Sequence, residues 1–341
     1  MRRRAGRGRG HGRHHAAAQP PWRRLDARRG RGARRGQAGA ARAHGRRCAG
    51  DDQESARRFI RHVGRHHGAA LPRSSGRVPS EASTRRPTVT LALPARAKLN
   101  LDLAVLGRRD DGFHEVRTRL QAIDLHDLLE LAPSNETAFS TSGLAVTGAA
   151  ENSVLKAHAA LEQAAGRDLP TRFHLHKRIP AGAGLGGASS DAAAALRGLT
   201  ALHRLAIDIT PIARSLGADV PFFLQGGAAL AEGRGDRLTG LPAEPACFVV
   251  AWPGIELLTA AVYRAWDEVK DDPSAPNQLS RAAAHAEPRI KEFAARLGEG
   301  WRMTGSGSAF FRRCGGGEEA RHVTASLDCW TAVTQSIGPW A

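Results

Sequence analysis

The stretch Pro180-Ala181-Gly182-Ala183-Gly184-Leu185-Gly186-Gly187-Ala188-Ser189-Ser190-Asp191 runs straight into Ala192-Ala193-Ala194-Ala195-Leu196. A glycine-dense loop with two hydroxyls therefore opens onto a strong helix former. Just upstream, Arg172-Phe173-His174-Leu175-His176-Lys177 is apolar on alternate residues, the pattern of a strand. Strand, glycine loop and helix in that order build a cradle for phosphate. The glycines let backbone N–H groups close on an anion, and the helix N-terminus adds unpaired donors and the positive end of its dipole. A Gly/Ala stretch can also be a plain linker, a reading that the flanking strand and helix oppose. No Lys-Ser or Lys-Thr pair closes the loop, so it is not a Walker A sequence.

Outward from the loop, period-two alternation predicts strands at Thr88-Val89-Thr90-Leu91-Ala92-Leu93 and at Leu99-Asn100-Leu101-Asp102-Leu103-Ala104-Val105. Asp110-Asp111-Gly112 punctuates them, and strand character resumes over 116–131. Val154, Leu155, Ala157, Ala160 and Leu161 fall at helical spacing, with Asn152 or Ser153 as the cap. A helix is expected from the glycine loop to about Leu205, and a shorter one from Thr210-Pro211 to Gly217. Strands at 226–232 and 246–252 and helices at 260–270 and 290–297 follow. Residues 301–311 hold a second small-residue turn, Gly305-Ser306-Gly307-Ser308, between apolar neighbours. Strands and helices mixed without regular alternation favour an α+β fold over a doubly wound sheet.

The net charge of +17 invites a nucleic-acid reading, but its distribution does not support one. The first 86 residues hold 24 of the 50 basic and 5 of the 33 acidic residues, a net of +19, which leaves the remaining 255 residues at −2. A nucleic-acid enzyme carries its basic stripe on the folded surface. Runs such as Arg2-Arg3-Arg4-Ala5-Gly6-Arg7-Gly8-Arg9-Gly10 lack apolar periodicity, so residues 1–86 are expected to be a disordered extension. Such a tail could be an Arg-Gly RNA-binding arm or a transit peptide. The favoured account is a GC-rich stretch read in frame upstream of the true start, with Val78 or Val89 as candidate starts. No apolar run reaches membrane-spanning length. Cys48, Cys247, Cys314 and Cys329 show neither metal-ligand spacing nor a disulfide framework, which suits the cytoplasm.

Three separated blocks, Pro94-Ala95-Arg96-Ala97-Lys98-Leu99-Asn100-Leu101, the glycine loop, and Met303 to Phe310, together resemble the GHMP small-molecule kinases over residues 88–338. Gly107-Arg108-Arg109-Asp110-Asp111-Gly112-Phe113-His114-Glu115 and Leu216-Gly217-Ala218-Asp219-Val220-Pro221-Phe222-Phe223 are similar to a branch whose substrate carries a cytidine diphosphate. Ala231 to Asp236 and Thr259 to Tyr263 also match. The resemblance implies a two-domain α+β fold, with a ribosomal-protein-like N-terminal domain over 87–240 and a ferredoxin-like C-terminal domain over 241–341. It implies ATP and Mg²⁺ as cofactors and phosphoryl transfer to a hydroxyl of a small molecule. Two departures, Arg96 in place of a proline and Asn277-Gln278-Leu279 in place of Asn-Asp-Leu, remove no reacting group.

Carried over residue by residue, the resemblance makes Asp219 the base, with Lys98 beside it to orient the attacking hydroxyl. Pro180, Ala181, Gly182, Ala183, Gly184, Leu185, Gly186, Gly187, Ala188, Ser189 and Ser190 would hold ATP. Ser189 and Ser190 would reach phosphate or Mg²⁺, and Lys177 and Asn152 would lie near the adenine. Asn100, Phe113, His114, Thr259, Tyr263, Gly305, Ser306 and Gly307 would hold the substrate, with His114 on the base edge and the aromatic faces stacked on it. Isolated, each charge could be a solvated surface group and each aromatic a core residue. The rival readings are a homoserine or mevalonate kinase of the same superfamily and an RNA-binding module acting through the basic tail. A cytosine-recognising Phe-His pair opposes the first, and the near-neutral body opposes the second.

Overall fold

The structure is a computed structural model that describes residues 90–145, 152–269 and 272–340, all within one compact unit. The extension expected at 1–86, and the first residues of the strand expected from Thr88, lie outside the described residues.

The first sheet grows from one long hairpin. Strand β1 (Leu91–Arg108) pairs antiparallel with β2 (His114–Pro133) from Leu91 opposite Leu131 to Arg108 opposite His114. Two strands were expected here, and the structure has one continuous strand. The reason is that β2 offers a full-length edge, and β1 lies at the margin of the sheet with an isolated bridge from Leu103 to Asn277 on its other side, so Pro94 is tolerated as an edge-strand residue. Three register shifts, at Arg96/Lys98, Asn100/Asp102 and Val105/Gly107, bend β1 and re-aim its side chains. The other edge of β2 is shared by β4 (Thr171–Lys177) and β5 (Ala228–Gly233). Beyond them lie β3 (Ala138–Gly143), parallel to β4, and β6 (Arg237–Leu241).

Helix α1 (Ser153–Ala165) and helix α2 (Gly187–Leu202) cover this sheet. Asn152 caps α1, its Oδ1 accepting from Val154 N at 2.8 Å. The alanine run of α2 lets the helix lie close to the sheet, and Gly198 leaves no room for more: a Cβ there would meet Leu131 Cδ1 at 2.8 Å. Phe173, Leu129, Leu131, Leu161, Leu196 and Phe222 share the resulting core.

The second sheet runs β10-β7-β9-β8, all antiparallel: β7 (Cys247–Trp252), β8 (Arg302–Met303), β9 (Phe310–Cys314) and β10 (Trp330–Gln335). Helices α5 (Thr259–Glu268), α6 (Ser280–Ala286), α7 (Arg289–Leu297) and α8 (Gly317–Ala325) accompany it, with Val262, Ile290, Phe293, Met303 and Phe310 in their core. A further cluster, including Leu99, Ile123, Ile179, Leu185, Phe248 and Phe311, joins the two sheets around the glycine loop.

Mixed helices and strands without regular alternation agree with the α+β expectation. Helices α3 (Thr210–Leu216) and α4 (Val220–Gln225) connect α2 to β5. No periodicity could reveal α4, because it has six residues and Val220, Pro221, Phe222 and Phe223 are all buried. Phe173 is fully buried with its ring against His158 at 5.5 Å. Phe173→Ala is expected to lower unfolding stability by about 3–5 kcal/mol in urea titrations.

Candidate active site

The glycine loop lies along a cleft of about 970 Å³. Gly186 ends it in the left-handed region, at φ 74°, and caps α2 without any side chain. The first N–H groups of α2 therefore have no side-chain cap to displace, and the residues that carry them, Gly187 to Ser189, line the cleft. Gly182 and Gly184 have φ of 59° and 74°. Their lack of Cβ serves packing against the second sheet as well as any ligand. A Cβ on Gly184 would fall 2.3 Å from Thr304 O, and one on Gly182 would fall 2.9 Å from Glu256 Cα. The loop carbonyls are tied down on both sides: Leu185 O accepts from Lys98 N at 3.0 Å and Ala183 O from Ala309 N at 3.0 Å.

Opposite the loop, Lys98 and Asn100 project from the same face of β1. Lys98 Nζ donates to Asn100 Oδ1 and lies 3.6 Å from Asp219 Oδ2. Lys98 is 4% exposed, whereas the Asp219 side chain is 34% exposed, so the cation is fixed and the carboxylate is reachable. Asp219 occupies the N-cap position of α4, but its side chain makes no capping bond. The carboxylate is thus not committed to the helix end. Asn100 is held from two sides, its Nδ2 donating to Thr118 Oγ1 at 2.8 Å and its N to Thr304 Oγ1 at 2.9 Å.

Beneath the loop, Lys177 is buried between two carboxylates, donating to Asp127 Oδ2 at 2.5 Å and to Asp191 Oδ2 at 2.8 Å. Asp127 Oδ1 accepts from Arg178 N and Ile179 N at 2.6 and 2.8 Å, just where β4 enters the loop. Burial alone would lower Lys177, but the charges of Asp191 and Asp127 hold it above its ordinary value. Burial pushes Asp191 up to about 7 despite Lys177, and the like charge of Asp127 adds to the rise. Asp191 Oδ1 has no hydrogen-bond partner.

At the other end of the cleft the β1–β2 turn presents Phe113, 55% exposed. Next to it His114 is nearly buried, stacked on Tyr263 at 4.8 Å and 22°, with Trp266 edge-on at 5.2 Å. His114 Nε2 lies 2.8 Å from Asp267 Oδ1. Burial, with the nearby charge of Asp219, raises the Tyr263 phenol above its ordinary value and keeps it protonated. Arg234 Cζ sits 5.1 Å over the Phe113 ring, and Arg108 and Arg264 also line this end.

Most of the residues singled out in the sequence meet at this cleft: Lys98, Asn100, Phe113, His114, Asn152, Lys177, Asp219, Thr259, Tyr263, Gly305, Ser306 and the loop from Pro180 to Ser189. Ser190 does not line it, because consecutive helical residues diverge by about 100° and Ser190 turns inward, 2% exposed. Gly307 is also absent from the lining; a Cβ there would meet Met303 Sδ at 2.9 Å. Lys177 and Asn152 reach the cleft while spending atoms on structure, in the buried triad and the α1 cap. Thr259 Oγ1 meets Ser306 Oγ at 2.9 Å.

Sequence reasoning missed Asp127, Asp191, Arg234, Arg264, Asp267 and Asn277. Asn277 Nδ2 donates to Met303 O and Gly305 O at 2.9 and 2.8 Å, holding the second small-residue turn. Its neighbour Gln278, a departure from the expected motif, accepts from Val105 N at 2.7 Å. Asp191 stands four residues into α2, where a carboxylate on the loop side was the available signal. Asp127 carries no local sign of its role.

Known proteins resemble this chain in sequence and in fold. Residues 152–227 match the model of the GHMP kinases N terminal domain. The chain is similar to 4-diphosphocytidyl-2-C-methyl-D-erythritol kinase of Thermus thermophilus, 39% identical over 259 residues that span 69% of this chain and 92% of that protein. A crystal structure of 4-(cytidine 5'-diphospho)-2C-methyl-D-erythritol kinase superposes with a TM-score of 0.63 at 36% identity, covering 73% of this chain and all of that one. Homoserine kinase from Cytophaga hutchinsonii, at 17% identity and a TM-score of 0.54, shares the fold, covering 75% of this chain and 96% of that one.

The buried triad sets a pH dependence. The folded chain keeps a proton on Asp191 that the unfolded chain, with a carboxylate near pH 4, has already released. Asp191 therefore contributes progressively less stability as pH rises from about 4 to 7, the window between the two values. Lys177, raised, contributes constantly across that range and loses its contribution only at alkaline pH. The stability of the native chain relative to Asp191→Asn is expected to fall across that window and then level off, as read by urea unfolding at a series of pH values.

Proposed function

This chain belongs to the 4-diphosphocytidyl-2-C-methyl-D-erythritol kinases of the GHMP family, and from that premise we propose that it transfers the γ-phosphoryl of ATP to the 2-hydroxyl of the erythritol moiety of that substrate. The observation that carries the reading is the Lys98–Asp219 pair, 3.6 Å apart, at the mouth of the glycine loop. A loop built for phosphate, a reachable carboxylate beside a fixed cation, and an aromatic shelf at the far end of the same cleft suit a nucleotide donor and a base-bearing acceptor.

In the proposed reaction the substrate hydroxyl oxygen forms its bond to the γ-phosphorus as the bond from that phosphorus to the β-bridging oxygen breaks, releasing ADP. Asp219 accepts the hydroxyl proton. A carboxylate is too weak to ionise an alcohol beforehand, but a loose transition state acidifies the oxygen late, when the proton moves. Lys98, held by Asn100, orients the hydroxyl and offsets developing charge. The loop N–H groups at Gly186 to Ser189 hold phosphate oxygens. Arg234 and Arg264 bring positive charge to the end where the diphosphate would lie.

Among the described residues no three His, Cys, Asp or Glu side chains group as a metal site. That suits Mg²⁺ carried largely by phosphate oxygens and water, with the Ser189 hydroxyl in the lining as a protein contact. When bound, the ion neutralises phosphate charge. At the base end, His114 is oriented by Asp267 and Tyr263, which supports recognition of a cytosine edge, and Phe113 offers a stacking face. A homoserine or mevalonate kinase would need none of this. The closure of the first sheet at Leu241 and the start of the second at Cys247 support a domain boundary near residue 240. No described helix is long and apolar enough to cross a membrane, and free thiols at Cys314 and Cys329 suit the cytoplasm we propose.

Asp219→Asn is expected to cut kcat by roughly 100-fold or more with little change in either KM; near-normal turnover would remove Asp219 as base. His114→Ala is expected to raise the KM for the cytidine substrate about tenfold or more while leaving the KM for ATP in place. Steady-state assays with 4-diphosphocytidyl-2-C-methyl-D-erythritol, homoserine and mevalonate check the assignment. Turnover of homoserine or mevalonate instead would move the function within the superfamily.

A further inference from the structure

After β10 ends at Gln335 the chain leaves the second sheet and returns to the first. Ser336 bridges to Ile123 of β2, Ile337 N donates to Ala122 O at 3.0 Å, and Pro339 bridges to Gly226. Gln121 reinforces the crossing, its Nε2 donating to Ile337 O at 3.0 Å. Trp340 then settles on the end of α4. Its N donates to Gln225 O at 3.2 Å and its indole Nε1 to Phe223 O at 3.1 Å. Gly226 is required beneath the ring: its φ is +70°, and a Cβ there would fall 2.5 Å from Trp340 Cδ2. The Arg197 guanidinium carbon of α2 lies 6.0 Å from the ring centroid.

The helix gripped in this way is the one that begins at Asp219. It is six residues long, too short to hold its own orientation, so its seat comes from packing. Phe223 links the two ends of that seat. Its carbonyl takes the Trp340 indole N–H, and its ring fills the space under the glycine loop. A Cβ on Gly186 would fall 2.7 Å from Phe223 Cζ and 3.1 Å from Lys98 Cγ, so Phe223, Gly186 and Lys98 meet at one point. Asp219 and the lysine paired with it therefore both depend on where α4 sits, while α2 is seated separately on the first sheet and α1.

We propose that residues 336–340 form a strap that sets the position of α4, and that Trp340 is a positioning residue for phosphoryl transfer, acting on Asp219 and Lys98 through Phe223. The proposal rests on the reading of Asp219 as base. Trp340 does not line the cleft, so its removal is expected to disturb the chemical step and spare binding. A displacement of the reacting groups by a fraction of an ångström is enough to slow the step measurably.

The test uses the full chain with Trp340→Ala, Trp340→Phe and Asp219→Asn, measuring kcat, both KM values, the Kd for ADP by calorimetry and the melting temperature. Trp340→Ala is expected to lower kcat by roughly 10-fold, with both KM values and the ADP Kd within about twofold of the native chain. Trp340→Phe keeps a ring and loses the N–H, and it is expected to fall between, with kcat down by about threefold. If Trp340→Ala does not fold, Trp340→Phe alone decides the matter. Native kcat in the folded variants overturns the proposal, as does a loss of kcat that both KM values and the ADP Kd follow. Native kcat in Asp219→Asn overturns the base reading and the strap with it. Loss in Asp219→Asn beside native kcat in the Trp340 variants overturns the strap alone.

Discussion

Everything at the cleft depends on how closely the glycine loop is pressed between the two sheets. At Gly184 the Thr304 carbonyl occupies the place where a side chain would begin, and at Gly186 Phe223 and Lys98 do the same. The loop's carbonyls accept from Lys98 N on one side and Ala309 N on the other, while the loop from Pro180 to Ser189 lines the cleft. Close contact on the protein side thus leaves the other side of the loop open to the cleft. A single Cβ at either position would force the backbone apart or into a strained left-handed conformation.

Charge is arranged so that the loop stays rigid without filling the site. The triad of Lys177 with Asp127 and Asp191 ties the last residue of β4 to the first turns of α2, so the two ends of the loop share one buried cation. Breaking one partner of such a group strands a charge out of water. The pair proposed to react, Lys98 and Asp219, is arranged differently. Its lysine is buried and its carboxylate is open, which supports the proposed role of Asp219 as proton acceptor.

The far end of the cleft shows the same division between fixed support and available surface. His114 has its ring stacked on Tyr263 and a nitrogen at Asp267, so its orientation is determined before a ligand arrives. Phe113 beside it remains largely exposed. Pre-orientation of this kind lowers the ordering cost of binding, which supports the proposed recognition of a base edge.

How much was legible in the chain follows from the range of each interaction. Sequence alone determined the glycine loop with its strand and helix, a cap at Asn152 or Ser153 and the α+β class, because periodicity, capping and glycine's permissiveness are local properties. It also placed Lys98, Asp219, His114 and Tyr263 in motifs, but it could not say which atoms meet. Ser190 shows the limit on one helix, since which of two adjacent serines faces the cleft depends on how α2 packs. Only the tertiary structure decided that Asp127 would hold Lys177 across 50 residues, that Thr304 would hold Asn100 across 204, and that Trp340 would grip Phe223 across 117. Helix α4 was invisible for the same reason. It exists through burial against distant segments, and a local pattern carries no record of which distant segments those are.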